Sequence, residues 1–491
     1  MKHASNRLTA IALLVISVYT VSSGLFERFV MGDNAESIDH SASGQVLHAG
    51  PVRVKFADGQ LRYIRVGDKE IIRRIYFGVR DGNWNTAPPV YSKMDVEKAD
   101  DHFTIHLAAD CRLGDVDYSW TGTIIGAADG KITFQAEGVA ARDFDSNRIG
   151  LCVLYGKESL AGTDFQTDGV VGNGQFPNLV SPTHLADGFH VLKYATADGL
   201  KVSCGVEGAI FDMEDQRNWG DSSWKAFAPL PYAYKHVGKG DRKSQTVTLT
   251  VSGATDAKAI PQDPVHVKIG GPVEGAKLPS FTASPSATKG DFSAINFNHA
   301  KFADKKQINW ECIPTTHLPD DDTIMENVPA VAAQAKTIRS FNANCKIVVG
   351  PIHIPGKKND EPIATAWGVA MVKSLALGGV DEADFALGHA AMTALETIRP
   401  YERRKLLNVE TQPRDSHHLY AFAAENEQGV GLFLVNRTAH PCHVEIDGIG
   451  AKQLKVLLVG SEAAEQTLPI VGGTTKIQIG PYGVFRITIA K

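Results

Sequence analysis

The sequence predicts a multidomain protein that is mainly β, with an α/β segment in the middle of the chain. Three observations support this class. The chain has 491 residues, which is too long for one compact domain. Residues 45–255 and 415–491 contain short, alternating apolar runs separated by Gly, Asp and Asn, as β-strands and tight turns require. Between them, residues 291–410 change to strands that alternate with helices.

The first of these regions predicts a large N-terminal β-sandwich over residues 45–255. Its pattern is clear in Val52-Arg53-Val54-Lys55-Phe56, where apolar and polar residues alternate before an Asp58-Gly59 turn. The region exceeds 200 residues and has no convincing amphipathic helix, so two packed sheets are needed to bury its apolar faces.

Residues 256–290 are rich in Pro, Gly, Ala, Ser and Lys, which predicts an extended linker. The α/β segment follows, and its alternation implies a parallel sheet. Its predicted elements are strands at 307–310, 345–354 and 380–387, and helices at 322–341, 363–377 and 392–404.

This middle segment is short for a closed barrel. An eight-stranded (β/α) barrel takes roughly 250 residues, and only about 115 are available here. The sheet is therefore expected to remain open, and either to lie against the β-domains or to expose an edge to another subunit in a homo-oligomer. Residues 415–491 predict a smaller C-terminal β-sandwich.

Composition excludes several classes of function. The formal net charge is −5 and no long run of Lys or Arg occurs, so nucleic acid is not an expected partner. The six cysteines lie far apart and include no C-x-x-C pair, which argues against a zinc or redox site. No phosphate loop or dinucleotide fingerprint is present, and no cofactor is predicted.

The N-terminus predicts export. Lys2 and Arg7 precede an apolar run at residues 8–21, and small residues follow at 22–24, as in a cleaved signal peptide over residues 1–24. The mature protein is then periplasmic or secreted. If the segment is not cleaved, it would tether the protein to a membrane.

The stretch from Met213 to Phe227 combines carboxylates, cations, amides and aromatic rings. This mixture suits a sugar-like ligand, because charged and amide groups bind hydroxyls while tryptophan stacks on an apolar ring face. A buried polar network that fastens two domains would use the same residue types. The candidate substrate-binding residues are Glu214, Asp215, Arg217, Asn218, Trp219, Asp221 and Lys225.

The same stretch carries a family resemblance that continues upstream through an ordered series of motifs. They include Arg73-Arg74-Ile75-Tyr76-Phe77, Asn83-Trp84, Trp120-Thr121-Gly122-Thr123 and Asn147-Arg148-Ile149-Gly150-Leu151. Together they resemble the N-terminal domain of the D-apionate lactonase family, sugar-acid lactone hydrolases of apiose catabolism. The resemblance implies a mutarotase-like supersandwich, a triosephosphate-isomerase-type (TIM) barrel of which only the last part is present, and a C-terminal sandwich. It also implies a small carbohydrate or sugar-acid lactone as ligand.

Lactone hydrolysis needs a base that activates water, a donor for the oxyanion and an acid for the departing alkoxide. Such groups lie at strand ends in βα folds. Glu311 follows the strand at 307–310, with His317 and Asp320 in the next loop, and Glu382 begins the third strand. These four are the candidate catalytic residues, although acidic residues before a helix also serve as ordinary caps.

Two further histidines, His353 and His389, could join Glu311 and His317 around a metal ion. Their spacing is not diagnostic, and no metal is predicted.

Three functional interpretations remain open. The first is an exported sugar-lactone hydrolase, or a glycoside-hydrolase-like enzyme, whose catalysis is impaired if the early barrel strands are missing. The second is a non-catalytic carbohydrate-binding or structural relative. The third is a mutarotase-like epimerase, which requires a His and a Glu that face each other on the first sandwich.

Overall fold

The computed structural model describes most of the chain beyond residue 43. The described ranges are 44–182, 184–229, 235–253, 264–282, 302, 304–310, 320–356, 361–413, 417–447, 453–459, 464–469 and 474–490. The predicted signal peptide lies outside them, as do Glu311 and His317. Among these residues no helix has the length and apolar character needed to span a bilayer.

The N-terminal region is built mainly from strands, and one helical turn precedes residue 200 among the residues that the structure describes. The strands are β1 (Gln45–Ala49), β2 (Val52–Ala57), β3 (Gln60–Val66), β4 (Lys69–Arg80), β5 (Pro89–Lys98), β6 (Phe103–Leu113), β7 (Val116–Gly126), β8 (Ile132–Ala140), β9 (Phe144–Asp145), β10 (Arg148–Gly156), β11 (Asp164–Thr167), β12 (Asn173–Gln175), β13 (Ala186–Phe189), β14 (Val191–Ala195), β15 (Lys201–Glu207), β16 (Phe211–Asp215), β17 (Ser223–Phe227), β18 (His236–Val237) and β19 (Arg242–Ser252). The helical turns are α1 (Lys157–Leu160) and the 3-10 helix η1 (Gln216–Trp219).

These strands form two large sheets that pack face to face, as the alternating pattern predicts. The first, called the inner sheet here, has the order β1-β2-β3-β4-β10-β17-β16-β13, and the second, the outer sheet, has the order β12-β11-β14-β15-β19-β8-β7-β6-β5. Side chains from both sheets, such as Ile75, Val153 and Phe134, share one apolar core. Because side chains alternate along a strand, the other face of the inner sheet carries a different set of residues, which line the candidate site.

The middle segment is a parallel sheet with helices. Its strands are β21 (Ser280–Thr282), β22 (Gln307–Trp310), β23 (Lys346–Ile352) and β24 (Glu382–Phe385), in the order β21-β24-β23-β22. Its helices are α2 (Asp321–Glu326), α3 (Ala330–Phe341), α4 (Pro362–Gly378), α5 (His389–Glu396) and the 3-10 helix η2 (Arg399–Tyr401).

The described strands of this segment do not close into a barrel, and β22 forms one edge of the sheet. An association between subunits through this edge stays a prediction.

The C-terminal region forms a sheet that curls around its own apolar core. Its strands are β20 (Val265–Lys277), β25 (Lys405–Gln412), β26 (Leu419–Asn426), β27 (Gly429–Asn436), β28 (Cys442–Asp447), β29 (Gln453–Val459), β30 (Ala464–Pro469), β31 (Thr474–Ile479) and β32 (Val484–Ala490). Their order is β30-β29-β32-β27-β26-β25-β20-β28-β31. Residues from both ends of this series, including Leu454 and Ile477, meet in one core.

Two local predictions need correction. The linker predicted over residues 256–290 contains β20, which pairs with β25 and β28 of the C-terminal sheet, and β21, which pairs with β24. Its Pro and Gly content indicated extended backbone but not these distant partners. The helix predicted at 322–341 is divided into α2 and α3, and Pro329 directly precedes α3. Proline has no backbone N–H and therefore cannot donate the hydrogen bond that a continuous helix requires there.

A buried ionic network joins the inner sheet to the middle segment. Arg62 Nη1 and Arg74 Nη2 donate to Glu326 at 3.3 Å and 2.7 Å, and Arg62 Nη2 also donates to Asp320 at 2.8 Å. Glu326 and both arginines are buried. These bonds hold α2 against the face of the inner sheet that is turned away from the sandwich core.

Candidate functional site

A cavity of about 630 Å³ lies on that outward face of the inner sheet. Strand alternation explains its composition. Along β4, Ile75 and Val79 belong to the sandwich core, whereas Arg74 and Arg80 occupy positions of the opposite parity and line the cavity. The central lining residues from neighbouring strands β10, β16 and β17 are Arg148, Leu154, Glu214, Lys225 and Phe227.

Arg148 is the most unusual of these residues. Its side chain is 1% exposed, and its Nε and Nη1 atoms have no hydrogen-bond partner within the described part of the chain. Its guanidinium lies over the ring of Phe227, with 4.4 Å between Cζ and the ring centroid. A buried cation with unused donors at a cavity wall is suited to an anionic ligand or a developing oxyanion.

Lys225 is a second buried cation in the cavity. Its ammonium donates to Gln216 Oε1. Burial, followed by repulsion from Arg148 and Arg80, lowers the pKa of Lys225 from 10.5 to about 7. Near neutral pH this amine is therefore present in both protonation states, which is the property required of a general acid or base.

A carboxylate lies directly across from Lys225. In the antiparallel pair of β16 and β17, Glu214 and Lys225 are register partners. Glu214 Oε2 accepts a hydrogen bond from Gln216 Nε2 at 3.0 Å. The cavity thus brings together a carboxylate, an amide and several cations, and so can bind hydroxyl groups as well as negative charge.

His184 adds a possible proton acceptor to the cavity wall. Its Nδ1 lies 2.6 Å from Asp187 Oδ1, an arrangement that orients the imidazole and leaves Nε2 for a reacting group. His184, Asp187 and Asp212 also have ligand atoms within 4.8 Å of one another, so they could hold a metal ion. All three are exposed or half-buried, and Asp212 already accepts from the Gly188 amide.

Two exposed tryptophans, Trp84 and Trp219, are also part of the lining. Trp84 has a φ of 69°, which is uncommon for a bulky residue. Asp81 holds this turn, because its Oδ1 accepts the backbone amides of Asn83 and Asn85. A strained turn that presents an exposed tryptophan at a cavity suits stacking against a sugar ring.

The stretch from Met213 to Phe227 has two separate roles. Glu214, Trp219, Asp221 and Lys225 line the cavity, and their role in substrate binding stays a prediction.

The other three predicted binding residues, Asp215, Arg217 and Asn218, do not line it. Arg217 is fully buried, pairs with Asp215 at 2.7 Å and donates to the backbone carbonyls of residues 177–179. Asn218 donates to the carbonyl oxygens of Ser181 and Asp215. Their hydrogen-bonding groups are used within the protein, so their prediction as ligand-binding residues is corrected to a structural role.

The interface with the middle segment uses this network. Gln334 on α3 donates to the Arg217 carbonyl at 2.7 Å, and Asn327 accepts from the Ser222 amide at 3.1 Å. The alternative interpretation of the stretch, a polar network between domains, is therefore confirmed for this half. Gly220, whose φ is 81°, ends η1 between the two halves.

The predicted catalytic residues do not form one group among the described residues. Asp320 lines the cavity, but it caps α2 by accepting the Thr323 amide and pairs with Arg62. Although burial acts in the opposite direction, Arg62 and Arg74 lower the pKa of Asp320 to about 2, which makes it a weak base. Glu382 lies outside the cavity and pairs with Lys346 at 2.8 Å.

Sequence reasoning missed several lining residues, namely Arg74, Arg80, Trp84, Arg148 and His184. A signal for two of them was present, because Arg74 and Arg80 interrupt the apolar pattern of β4 at positions of the same parity. Arg148 is a single charge before an apolar run, and only its three-dimensional surroundings distinguish it.

Comparison with known proteins gives matches over both β-regions. Residues 34–254 match the family model described as D-apionate lactonase, N-terminal domain, and residues 416–487 match D-apionate lactonase, C-terminal immunoglobulin-like domain. A D-apionate lactonase of Brucella anthropi is 29% identical over 262 residues, which are 51% of this chain and 42% of that protein. The match therefore spans less than half of that relative.

Two solved structures have weaker similarity. A galactose mutarotase related enzyme from Lactobacillus acidophilus has a TM-score of 0.33 and 9% identity, over 44% of this chain and 100% of that one. A beta-arabinopyranosidase has a TM-score of 0.28 and 8% identity, over 90% of this chain and 100% of that one. The two domain models of one family cover more than half of the sequence, and the chain belongs to the D-apionate lactonase family.

Proposed function

We propose that this protein hydrolyses the lactone of a sugar acid in the cavity on the inner sheet. The observation that carries the proposal is the buried guanidinium of Arg148, which has unused donors at the wall of a cavity that also contains Lys225 and Glu214. A lactone has a polarised carbonyl, and its hydrolysis produces a carboxylate. Both the oxyanion of the reaction and the product would be stabilised by this cation. Membership of the lactonase family supports the same reaction class.

The proposed reaction uses three groups. His184, oriented by Asp187, accepts a proton from water as the water oxygen adds to the lactone carbonyl carbon. Arg148 stabilises the resulting oxyanion. When the carbonyl re-forms, the bond from carbon to the ring oxygen breaks, and protonated Lys225 donates a proton to that oxygen. The products are a hydroxyl group and a carboxylic acid. The acid then returns its proton to Lys225 and becomes a carboxylate, and the proton held by His184 leaves to solvent.

The remaining lining suits a polyhydroxylated substrate. Glu214 and Gln216 offer acceptors and donors for hydroxyl groups, while Trp84 and Trp219 provide faces for stacking. The family resemblance makes D-apionate lactone the first compound to test, with other five- and six-membered sugar lactones as comparisons. We also propose that the protein acts outside the cytoplasm, on the basis of the signal-like pattern of residues 1–24.

The direct test measures acid release from a panel of sugar lactones in a pH-stat, corrected for spontaneous hydrolysis. Arg148→Gln is expected to lower kcat/KM by about 100-fold, as for loss of one oxyanion donor. Arg242→Gln, at the exposed first residue of β19, is the matched control and should keep wild-type activity. Circular dichroism and melting curves establish that both variants are folded. A folded Arg148→Gln protein with wild-type turnover would refute the proposed role.

One observation favours a second candidate, a mutarotase-like epimerase. His184 and Glu214, a His and a Glu, line the same cavity on the first sandwich. Interconversion of aldose anomers would be detected by NMR exchange spectroscopy and would release no acid. Anomer exchange without lactone hydrolysis would support the epimerase, while sugar binding without either reaction would identify a non-catalytic relative.

A further inference from the structure

A second cavity, of about 740 Å³, lies where three parts of the chain meet. The N-terminal sandwich contributes Tyr63 and Arg73, helix α4 contributes Lys373, and the C-terminal region contributes Tyr420 and Arg437. No residue lines both this cavity and the one on the inner sheet. The two are therefore separate sites.

Two cations lie beside one aromatic ring in this second cavity. Lys373 Nζ is 4.5 Å from the centroid of Tyr420, and Arg437 Cζ is 5.6 Å from it. Arg437 Nη2 donates to the backbone carbonyl of Met325 at 2.9 Å. Neither cation has an ion pair within the described ranges. Two neighbouring cations without a carboxylate partner repel each other, so an anion placed between them would be stabilised.

Five carboxylates also line this cavity, namely Asp68, Glu70, Glu158, Glu410 and Asp447, and two of them are paired with Arg73. Arg73 binds Glu70 Oε1 through Nε at 2.7 Å and Glu158 Oε2 through Nη2 at 2.7 Å. Glu70 also pairs with Arg65 at 3.4 Å. Glu70 and Glu158 are thus held by arginines, and within the described ranges none of the five lining carboxylates forms an ion pair with Lys373 or Arg437.

His417 provides an independent indication of a ligand. It lines the cavity, is 7% exposed and stacks on Tyr63 with ring centroids 4.2 Å apart. Its Nδ1 has no hydrogen-bond partner among the residues that the structure describes. Burial, with the neighbouring positive groups, lowers the pKa of His417 well below its usual value, so the ring is neutral and Nδ1 can donate or accept. An unused buried nitrogen of this kind costs free energy unless a ligand satisfies it.

We propose that this second cavity binds a small hydroxylated carboxylate, such as a sugar acid. Its carboxylate lies between Lys373 and Arg437, and its hydroxyl groups meet the polar side chains of Asn408 and Gln412, which also line the cavity. Because the lining comes from the sandwich, helix α4 and the C-terminal sheet, the bound anion links all three and stabilises their arrangement. This proposal does not depend on the activity of the first cavity.

The test uses D-gluconate as the probe, with glucose as a neutral analogue and inorganic phosphate as a second anion. Isothermal titration and thermal melting should show gluconate binding and a higher melting temperature, with no response to glucose. Lys373→Met and Arg437→Met are each expected to weaken binding by about tenfold or more, the effect of losing one charged hydrogen bond. Methionine keeps the apolar contact with Tyr420, and Lys98→Met, on the exposed end of β5, is the control.

Gluconate can also bind the first cavity as a product analogue, so Arg148→Gln is titrated in parallel. Retention of binding in Arg148→Gln and loss in Lys373→Met supports the second site. The reverse pattern, or equal binding by the Lys373→Met and Lys98→Met variants, overturns it. Equal affinity for phosphate and gluconate overturns the assignment of a hydroxylated carboxylate.

Discussion

Lys225→Met is expected to make the protein more stable while abolishing the lactone hydrolysis proposed for it. The wild-type amine is buried beside Arg148 and Arg80, and these surroundings disfavour its charged form. Methionine has a similar length and no charge, so the same space is filled without that penalty. Functional sites often contain residues that lower the stability of the fold but are needed for activity.

The size of the effect follows from the pKa of Lys225, which falls from 10.5 to about 7 on folding. The difference of about 3.5 pH units corresponds to about 5 kcal/mol, at about 1.4 kcal/mol for each unit. The variant also loses the hydrogen bond to Gln216, worth about 1 kcal/mol. A net gain of about 2 to 4 kcal/mol in the free energy of unfolding is therefore expected at about pH 6.

The stability advantage of Lys225→Met over the wild-type protein is expected to decrease as the pH rises. Below about pH 7 the lysine is charged in both the folded and the unfolded protein, so the full penalty is present. Between about pH 7 and 10.5 the unfolded chain binds the additional proton, and wild-type stability rises with pH relative to the variant. The advantage of Lys225→Met therefore shrinks as the pH rises, to about 1 kcal/mol or less near pH 9.5.

Urea unfolding at about pH 6, 8 and 9.5, followed by tryptophan fluorescence, measures this difference. Lys98→Met serves as the exposed control, and its difference from wild type should be small at every pH. Lactone turnover is measured on the same preparations. The reasoning fails if Lys225→Met is less stable than wild type at about pH 6, or if its advantage does not change with pH.

Three further substitutions test other parts of the structure. Glu326→Gln removes the charge that binds two buried arginines, and urea titration should show a loss of about 3 kcal/mol in the free energy of unfolding. Arg217→Met should cause a loss of similar size with little change in KM, which distinguishes a structural residue from a binding one. His184→Asn should lower kcat for lactone hydrolysis by about 100-fold without altering the melting temperature, because the side chain is exposed.

The β-regions could be predicted because their signal is local. Alternation in a strand such as β6 places Phe103, Ile105 and Leu107 on one face, and that face is the buried one. The linker could not be predicted in the same way. Strand β20 pairs with β25 and β28, which lie more than 100 residues away in sequence. The amino-acid composition of β20 does not indicate which strands it pairs with.

The candidate site was partly predictable from the stretch at Met213 to Phe227. Its residue types indicated a ligand site or a polar network, and the structure shows a polar network in one half of the stretch and cavity-lining residues in the other. Which residue serves which role depends on side-chain direction: Glu214 points into the cavity, whereas the next residue, Asp215, points into the protein. Arg148 required the folded structure, because what sets it apart is that its buried Nε and Nη1 have no hydrogen-bond partner among the described residues.

The cavity lies on the N-terminal sandwich, so its lining depends little on the length of the middle segment. Nearly all of its lining comes from the N-terminal sandwich, and the middle segment contributes only Asp320 and Thr323, at the start of α2. Arg74 lines the cavity and also binds Glu326 and Thr323, so the same side chain forms the wall and fixes α2 beside it. The proposed chemistry thus depends on one helix being held against the sandwich, rather than on a closed barrel. A protein with only four described parallel strands therefore retains every group that the proposed reaction uses.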